Sequence, residues 1–148
     1  MKSENAQQMI HATAVAINNQ GIIIVGPSGS GKSDLAIRLI DRGARLVSDD
    51  QVLTSRQEDF VILNAPASIA GKIELYSVGI FDIPFVSDVR LDMIVQLTDD
   101  AERYPMDVQL ELLLGMHISS IKLDGRTSSA PIKVEMALQK ITNSGKLS

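Results

Sequence analysis

Cysteine is absent from the 148 residues. That removes disulfides, thiolate metal sites and a cysteine nucleophile together, and it fits a reducing compartment, so a cytoplasmic protein is expected. Positive charge is also in short supply. Lys and Arg number 14 against 18 Asp and Glu, a balance of −4 that offers no basic field for nucleic acid and no polybasic patch for a membrane. No run approaches the roughly eighteen apolar residues of a membrane-crossing helix. The opening residues 1–17 lack the continuous apolar stretch and adjacent small-residue cleavage site of a secretory leader. Repeats and low-complexity runs are missing as well. What remains is the length of one ordinary domain, in which 45% hydrophobic residues are enough to bury about two thirds of the unfolded surface.

One stretch organises this chain. Gly26, Pro27, Ser28, Gly29, Ser30, Gly31, Lys32 and Ser33 fit the phosphate-binding pattern G-x-x-x-x-G-K-[ST] at every fixed position. Glycines let consecutive backbone N–H groups turn inward around anionic oxygens, and the helix that follows aims its positive end at the same point. Lys32 brings a mobile charge to β- and γ-phosphates, and Ser33 offers a hydroxyl to a magnesium ion bridging them. The context agrees. Residues 21–25 read as a β-branched strand, and residues 32–42 as a helix with Leu35, Ala36, Leu39 and Ile40 on one side and Gly43 at its stop. Residues 11–17 read as a further strand and 18–21 as a turn, so a hairpin is expected to lead into the loop.

Beyond the helix, residues 45–48 form a short predicted strand that delivers Asp49 and Asp50. Carboxylates at a strand end beside such a loop hold magnesium or orient the nucleophile, and two in a row offer both roles. Residues 61–64 and 92–97 read as strands, the latter central, and 65–72 as a brief helix or turn. On periodicity alone Glu74 is a polar position in a strand or at a solvated edge, Arg103 a surface residue, and His117 a structural residue in a strand over 117–123. The last helix starts after Ser129 and carries Val134, Ala137, Leu138 and Ile141 as its apolar stripe. Lys133 stands near its positive end, where anions are preferred; it reads as a surface lysine, with an incoming phosphate as the alternative. Residues 1–9 are expected to be a flexible tail and 144–148 a frayed end, leaving 10–143 as one domain.

Taken together, these separated pieces resemble the HPr kinase/phosphorylase family, in its catalytic C-terminal domain. His11 precedes the loop, GPSGSGKS fits the family's G-x-S-G-x-G-K-S form, and Arg42-Gly43-Ala44-Arg45-Leu46-Val47-Ser48-Asp49-Asp50 matches R-G-x-R-L-v-x-D-D. The signature l-E-i-r-G-l-G-i-x-D-v is partly present from Ile73 to Ile83, and the arginine of D-R-L-G falls on Arg103. The segment Ser129-Ala130-Pro131-Ile132-Lys133 resembles that of short members without an N-terminal domain.

The resemblance implies an α/β fold, a P-loop nucleotide-binding domain with mixed β-sheets similar to that of phosphoenolpyruvate carboxykinase. It implies an ATP- and magnesium-dependent enzyme, with pyrophosphate as an alternative donor, that phosphorylates a serine of HPr or a related phosphocarrier in the regulation of carbon and phosphotransferase-system metabolism. Inorganic phosphate reverses the reaction and yields pyrophosphate. By the same resemblance Asp50 is the base, with Asp49 the alternative. Lys32 and Arg103 neutralise the transferring phosphoryl, Ser33, Glu74 and Asp49 face magnesium, His11 assists near the reacting phosphate, and the protein is a homo-oligomer, a hexamer. One departure stands out: Tyr76-Ser77-Val78 replaces r-G-l, removing an arginine and a flexible glycine, which predicts altered forward and reverse rates. It also favours a second reading, a nucleotide-sensing module with weak or no transfer. A third, a small-metabolite P-loop kinase, requires a lid and an acceptor pocket that no segment supplies.

Overall fold

Ile22, Ile23 and Ile24 are consecutive and all buried, yet neighbours in a strand point to opposite faces, so the sheet they belong to is covered on both sides. The computed structural model describes residues 6–101 and 109–147. In chain order these form β1 (Gln7–His11), β2 (Thr13–Ile17), β3 (Gln20–Val25), α1 (Lys32–Asp41), β4 (Arg45–Ser48), β5 (Gln51–Gln57), β6 (Phe60–Asn64), β7 (Lys72–Leu75), β8 (Gly79–Asp82), β9 (Val89–Leu97), β10 (Gln109–Leu113), β11 (Met116–Leu123) and α2 (Ala130–Leu147). A single 3-10 turn covers Ala67–Ile69.

Among the described residues one mixed sheet runs in the order β1-β5-β6-β9-β3-β2-β4, with β11 against β9 and β10 outside β11. The pairs β3 with β9 and β9 with β11 are parallel; the others are antiparallel. On one side β9 pairs with β3; on the other it pairs with β6 at its start and β11 at its end. The expected α/β fold with mixed sheets is therefore present. No helix of the described residues is long and apolar enough to cross a membrane.

One face, carrying Val15, Ile22, Ile24, Leu46, Met93 and Val95, packs on Leu35, Ala36 and Leu39 of α1 and on Ala130, Val134 and Leu138 of α2. The other places Ala14, Ala16, Ile23 and Val47 against Val52, Val61 and Leu63. Small side chains on β2 leave room for β5 and β6 to close over it. Gly21 is a close approach of the same kind, since a Cβ there would lie 2.6 Å from the carbonyl oxygen of Arg90.

The hairpin before the loop is present, with Thr13 opposite Ile24 and Ile17 opposite Gln20. Asn18 (φ 50) and Asn19 (φ 67) take the left-handed conformations that a two-residue hairpin turn needs. Helix α1 ends as Gly43 predicts: at φ 113 its N–H reaches the oxygen of Ile40, while that of Ala44 reaches Leu39.

Three expectations change. Residues 11–17 are not one strand: β1 ends at His11, Ala12 breaks the run, and β2 starts at Thr13. The expected tail is shorter than nine residues, because Gln7, Gln8 and Met9 pair with Ser55, Thr54 and Leu53. Residues 144–147, expected to fray, continue α2. An exposed polar edge strand such as β1, whose burial pattern is mostly exposed, has the composition of a tail, and only its partner β5 distinguishes the two.

Candidate active site

Gly31 opens α1 at φ 95 with no side-chain cap on the first turn, so the helix N-terminus presents uncapped N–H groups to the loop. Gly29 (φ +81) and Gly31 (φ +95) both have open space where a Cβ would stand. Ser30 Oγ is buried without a hydrogen-bond partner among the described residues. Lys32 is only 8% exposed, and its Nζ donates to the backbone oxygens of Gly26 at 2.9 Å and Pro27 at 3.2 Å. Those acceptors are neutral, so the ammonium charge is held at the loop without being cancelled.

The centre of the site is Asp49. It is 5% exposed, and its Oδ1 accepts from Ser33 Oγ at 2.6 Å and from Thr13 Oγ1 at 2.9 Å, while Oδ2 accepts from the Glu74 backbone N–H at 3.0 Å. A buried carboxylate stays in place only when its oxygens are satisfied, and these donors come from α1, β2 and β7. Asp49 thus ties the helix after the phosphate loop to β2 of the large sheet and to β7 of the two-stranded β7–β8 sheet. The sequence reading missed Thr13. Its signal was a hydroxyl inside the otherwise apolar, buried run of β2, which demands a partner. Thr13→Val is expected to cost about 1–3 kcal/mol and Thr13→Ser to restore most of it; equal chemical-denaturation midpoints for the two variants would remove Thr13 from this role.

Asp50 follows in a left-handed conformation, φ 72, outside the range that aspartate prefers. Its backbone oxygen accepts from the Ala12 N–H at 3.1 Å and the Gln51 N–H turns back to Asp49 at 2.9 Å. Ser48 Oγ donates to the Gln51 oxygen across the same turn. So held, the side chain is exposed, with Oδ1 3.5 Å from Nδ1 of His11. His11 reaches it from the end of β1, whose last pair is His11 with Gln51.

The structure brings together the loop residues, Lys32, Ser33, Asp49, Asp50 and His11. Glu74 joins through its backbone, with its carboxylate exposed. Arg103 lies outside the described residues. His117 is exposed on β11, beside a cavity of about 550 Å³ at the opposite end of the sheet from the loop, where Arg90, Phe60 and Asp92 also stand. Arg90 covers the Phe60 ring at 4.1 Å and pairs with Asp92 at 3.3 Å.

Past β7, Ser77 takes φ 68 at the position where the family signature has glycine, so the turn keeps a glycine-like path without one. Tyr76 is 95% exposed there.

A smaller cavity of about 310 Å³ adjoins the loop between Pro27, Ser28, Gly29 and Ser30, the residues ending β9, and the turn at 124–126. That turn is latched by Arg126, which donates to Asp124 from Nε and Nη2 at 3.0 Å. Hydrogen bonds from the Arg126 side chain and then its backbone, with its charge and that of Lys133 adding, lower the Asp124 carboxyl to about 2. Because the folded value is depressed, the latch is intact above the ordinary aspartate range and opens only as pH falls toward that value. Lys133 is exposed near the start of α2, as expected of a surface lysine.

The residues fit a magnesium polyphosphate. Open left-handed glycines and the orphaned Ser30 hydroxyl suit phosphate oxygens. Ser33, Asp49 and Glu74 are hard oxygen donors. Magnesium is bound through one or two carboxylates together with phosphates and water, which this donor set can supply.

Comparison with known proteins gives a consistent result. Residues 3–145 match the model of the HPr Serine kinase C-terminal domain. The chain is 30% identical over 129 residues to an HPr kinase/phosphorylase of Prosthecochloris aestuarii, covering 78% of this chain and 38% of that protein. It is 31% identical over 136 residues to one of Clostridium acetobutylicum, covering 84% of this chain and 42% of that protein. The chain thus spans about two fifths of the length of these curated relatives. A solved structure of the Hpr(Ser) kinase/phosphatase from Coxiella burnetii superposes with a TM-score of 0.83 at 26% identity, over 94% of this chain and 99% of that one.

Proposed function

The chain belongs to the HPr Serine kinase C-terminal domain family, and from that membership we propose that it transfers the γ-phosphoryl of ATP to a serine hydroxyl of HPr or a related phosphocarrier. In reverse it passes the phosphoryl from the carrier to inorganic phosphate, giving pyrophosphate. The observation that carries this reading is the pairing of Asp49 and Asp50. The first is anchored to the phosphate loop through Ser33, and the second is exposed beside His11 one residue further on. These contacts support a phosphate site and a base for an incoming hydroxyl at one strand end.

Asp50 takes the proton as the serine oxygen attacks phosphorus and returns it in reverse. His11 orients that carboxylate. Lys32 moves its charge from the loop carbonyls to the phosphoryl oxygens, with Arg103 as the second cation. Magnesium, which Ser33, Asp49 and Glu74 would hold, supplies neutralisation of the phosphates. Asp49 keeps Ser33 in register with β2 and β7 and leaves the proton to Asp50, since it is buried against Ser33 whereas Asp50 is exposed to an incoming hydroxyl. The enzyme works in the cytoplasm as a homo-oligomer.

Mass spectrometry of an HPr-type carrier incubated with the protein and magnesium-ATP tests the reading. A gain of one phosphate on serine is expected, followed by its loss, with pyrophosphate formed, when phosphate is added in excess. The alternative, a nucleotide sensor, rests on the exposed Tyr76-Ser77-Val78 tip, which lacks the family's arginine. ATP binding without any carrier phosphorylation would select it.

A further inference from the structure

β3, β9 and β11 run parallel, and their starts come together at the end of the sheet opposite the phosphate loop. There Gln20, Arg90, Leu91 and His117 bound the cavity of about 550 Å³, which Asp59 of the β5–β6 turn and Phe60 at the start of β6 also line. From Gln20 to Val25, where β3 leads into the loop, is about 16 Å of extended strand. A molecule held here touches none of the groups that move the phosphoryl, so the function proposed above leaves this cavity without a use.

Arg90 is fixed in place without being used up. Its guanidinium lies 4.1 Å from the centroid of the Phe60 ring, and its Nε stands 3.3 Å from Asp92 Oδ1. Its terminal nitrogens make no hydrogen bond among the described residues, and the side chain is exposed. An arginine fork held flat on an aromatic ring is preorganised for the two oxygens of a carboxylate. Asp59 offers the opposite charge. It is exposed on the same cavity and has neither a hydrogen bond nor an ion pair among the described residues. Val61, Leu91 and Ile118, all buried, supply an apolar floor. An apolar floor with a few convergent polar groups, inside the roughly 300–1,000 Å³ range of small-molecule sites, is a ligand pocket.

Charge decides which ligand suits it. A phosphate dianion would meet Asp59 and Asp92 as well as Arg90, two carboxylates against one guanidinium, and be repelled. A neutral polyol would leave both the fork and the free carboxylate without an ionic partner. A carboxylate and an ammonium carried on one small apolar body satisfy both groups at once.

We propose that this cavity binds a free α-amino acid with an apolar side chain, its carboxylate on Arg90, its ammonium on Asp59 and its side chain on the floor. The site stands apart from the phosphate loop and does not depend on the reading of that loop.

Calorimetric titration of the full chain with L-leucine, L-methionine and L-phenylalanine tests it, each beside the same molecule without its amino group and without its carboxyl group. At least one amino acid is expected to bind wild type about tenfold or more tightly than either of its truncated forms. Arg90→Gln and Asp59→Asn should each weaken that binding by about tenfold or more, and Asp59→Asn, a change on an exposed turn, should leave the melting temperature and the affinity for magnesium-ATP as in wild type. The proposal is overturned if none of the three binds wild type, if a truncated form binds as tightly as its parent, or if Asp59→Asn binds the amino acid as wild type does. Arg90→Gln also gives up the stack on Phe60, so Asp59→Asn decides the matter if the arginine variant does not fold. Each of these outcomes leaves the proposed phosphoryl transfer untouched.

Discussion

Lys32→Ala is expected to abolish carrier phosphorylation and phosphorolysis together, lowering both rates by about a hundredfold to a thousandfold, the usual effect of removing one preorganised charge from a transferring group. Both reactions move a phosphoryl group between the serine oxygen and a phosphate oxygen beside the same loop, so a single cation serves both. The side chain is almost buried and donates to two neutral carbonyls of its own loop, so its charge is available when a phosphoryl arrives. Alanine also leaves the oxygens of Gly26 and Pro27 without that donor, which carries a stability cost of about 1–3 kcal/mol. A melting curve beside the kinetics separates the two effects. If the folded variant turned over at the wild-type rate, the loop would not be the active centre.

Asp50→Asn is expected to remove transfer while sparing the nucleotide, with kcat down by about a hundredfold to ten-thousandfold and nucleotide affinity within about twofold of wild type. Asparagine suits this test because it keeps the shape and tolerates the left-handed conformation that residue 50 adopts. The substitution therefore removes the acceptor charge and little else, whereas alanine would also strain the turn. Wild-type activity in the variant would move the base to Asp49. The structure argues against that outcome, because Asp49 is buried and accepts from Thr13, Ser33 and the Glu74 backbone, and freeing one of its oxygens would cost an existing hydrogen bond.

Much of the site was legible in the sequence because it is local. Gly26 to Ser33 is a contiguous motif whose conformation depends on its own glycines, and α1 follows from apolar spacing and Gly43. The strand that delivers Asp49 and Asp50 is short, but the carboxylates sit beside each other in the chain, and nothing distant is needed to place them at its end. Other positions gave no local signal. Thr13 looked like one more strand residue, and β1 looked like a tail because an exposed polar edge strand and a loose end share a composition. Strand β10, which exposes Leu110 and Leu112, is defined by its pairing with β11.

The sequence by itself determined that a strand, a phosphate loop and a helix follow one another, and that two carboxylates come next. Those properties depend on neighbours within a few residues, whose geometry the backbone and side-chain period dictate. Tertiary structure alone decided that Thr13 meets Asp49 across 36 residues and Glu74 meets it across 25. It also decided that His11 faces Asp50 from another strand, and that the ends of β9 and β11 wall a cavity beside the loop. Such contacts depend on strand order and register, and a slip of one residue would turn each side chain to the other face of the sheet. Only burial of both faces together selects the register that brings them into contact.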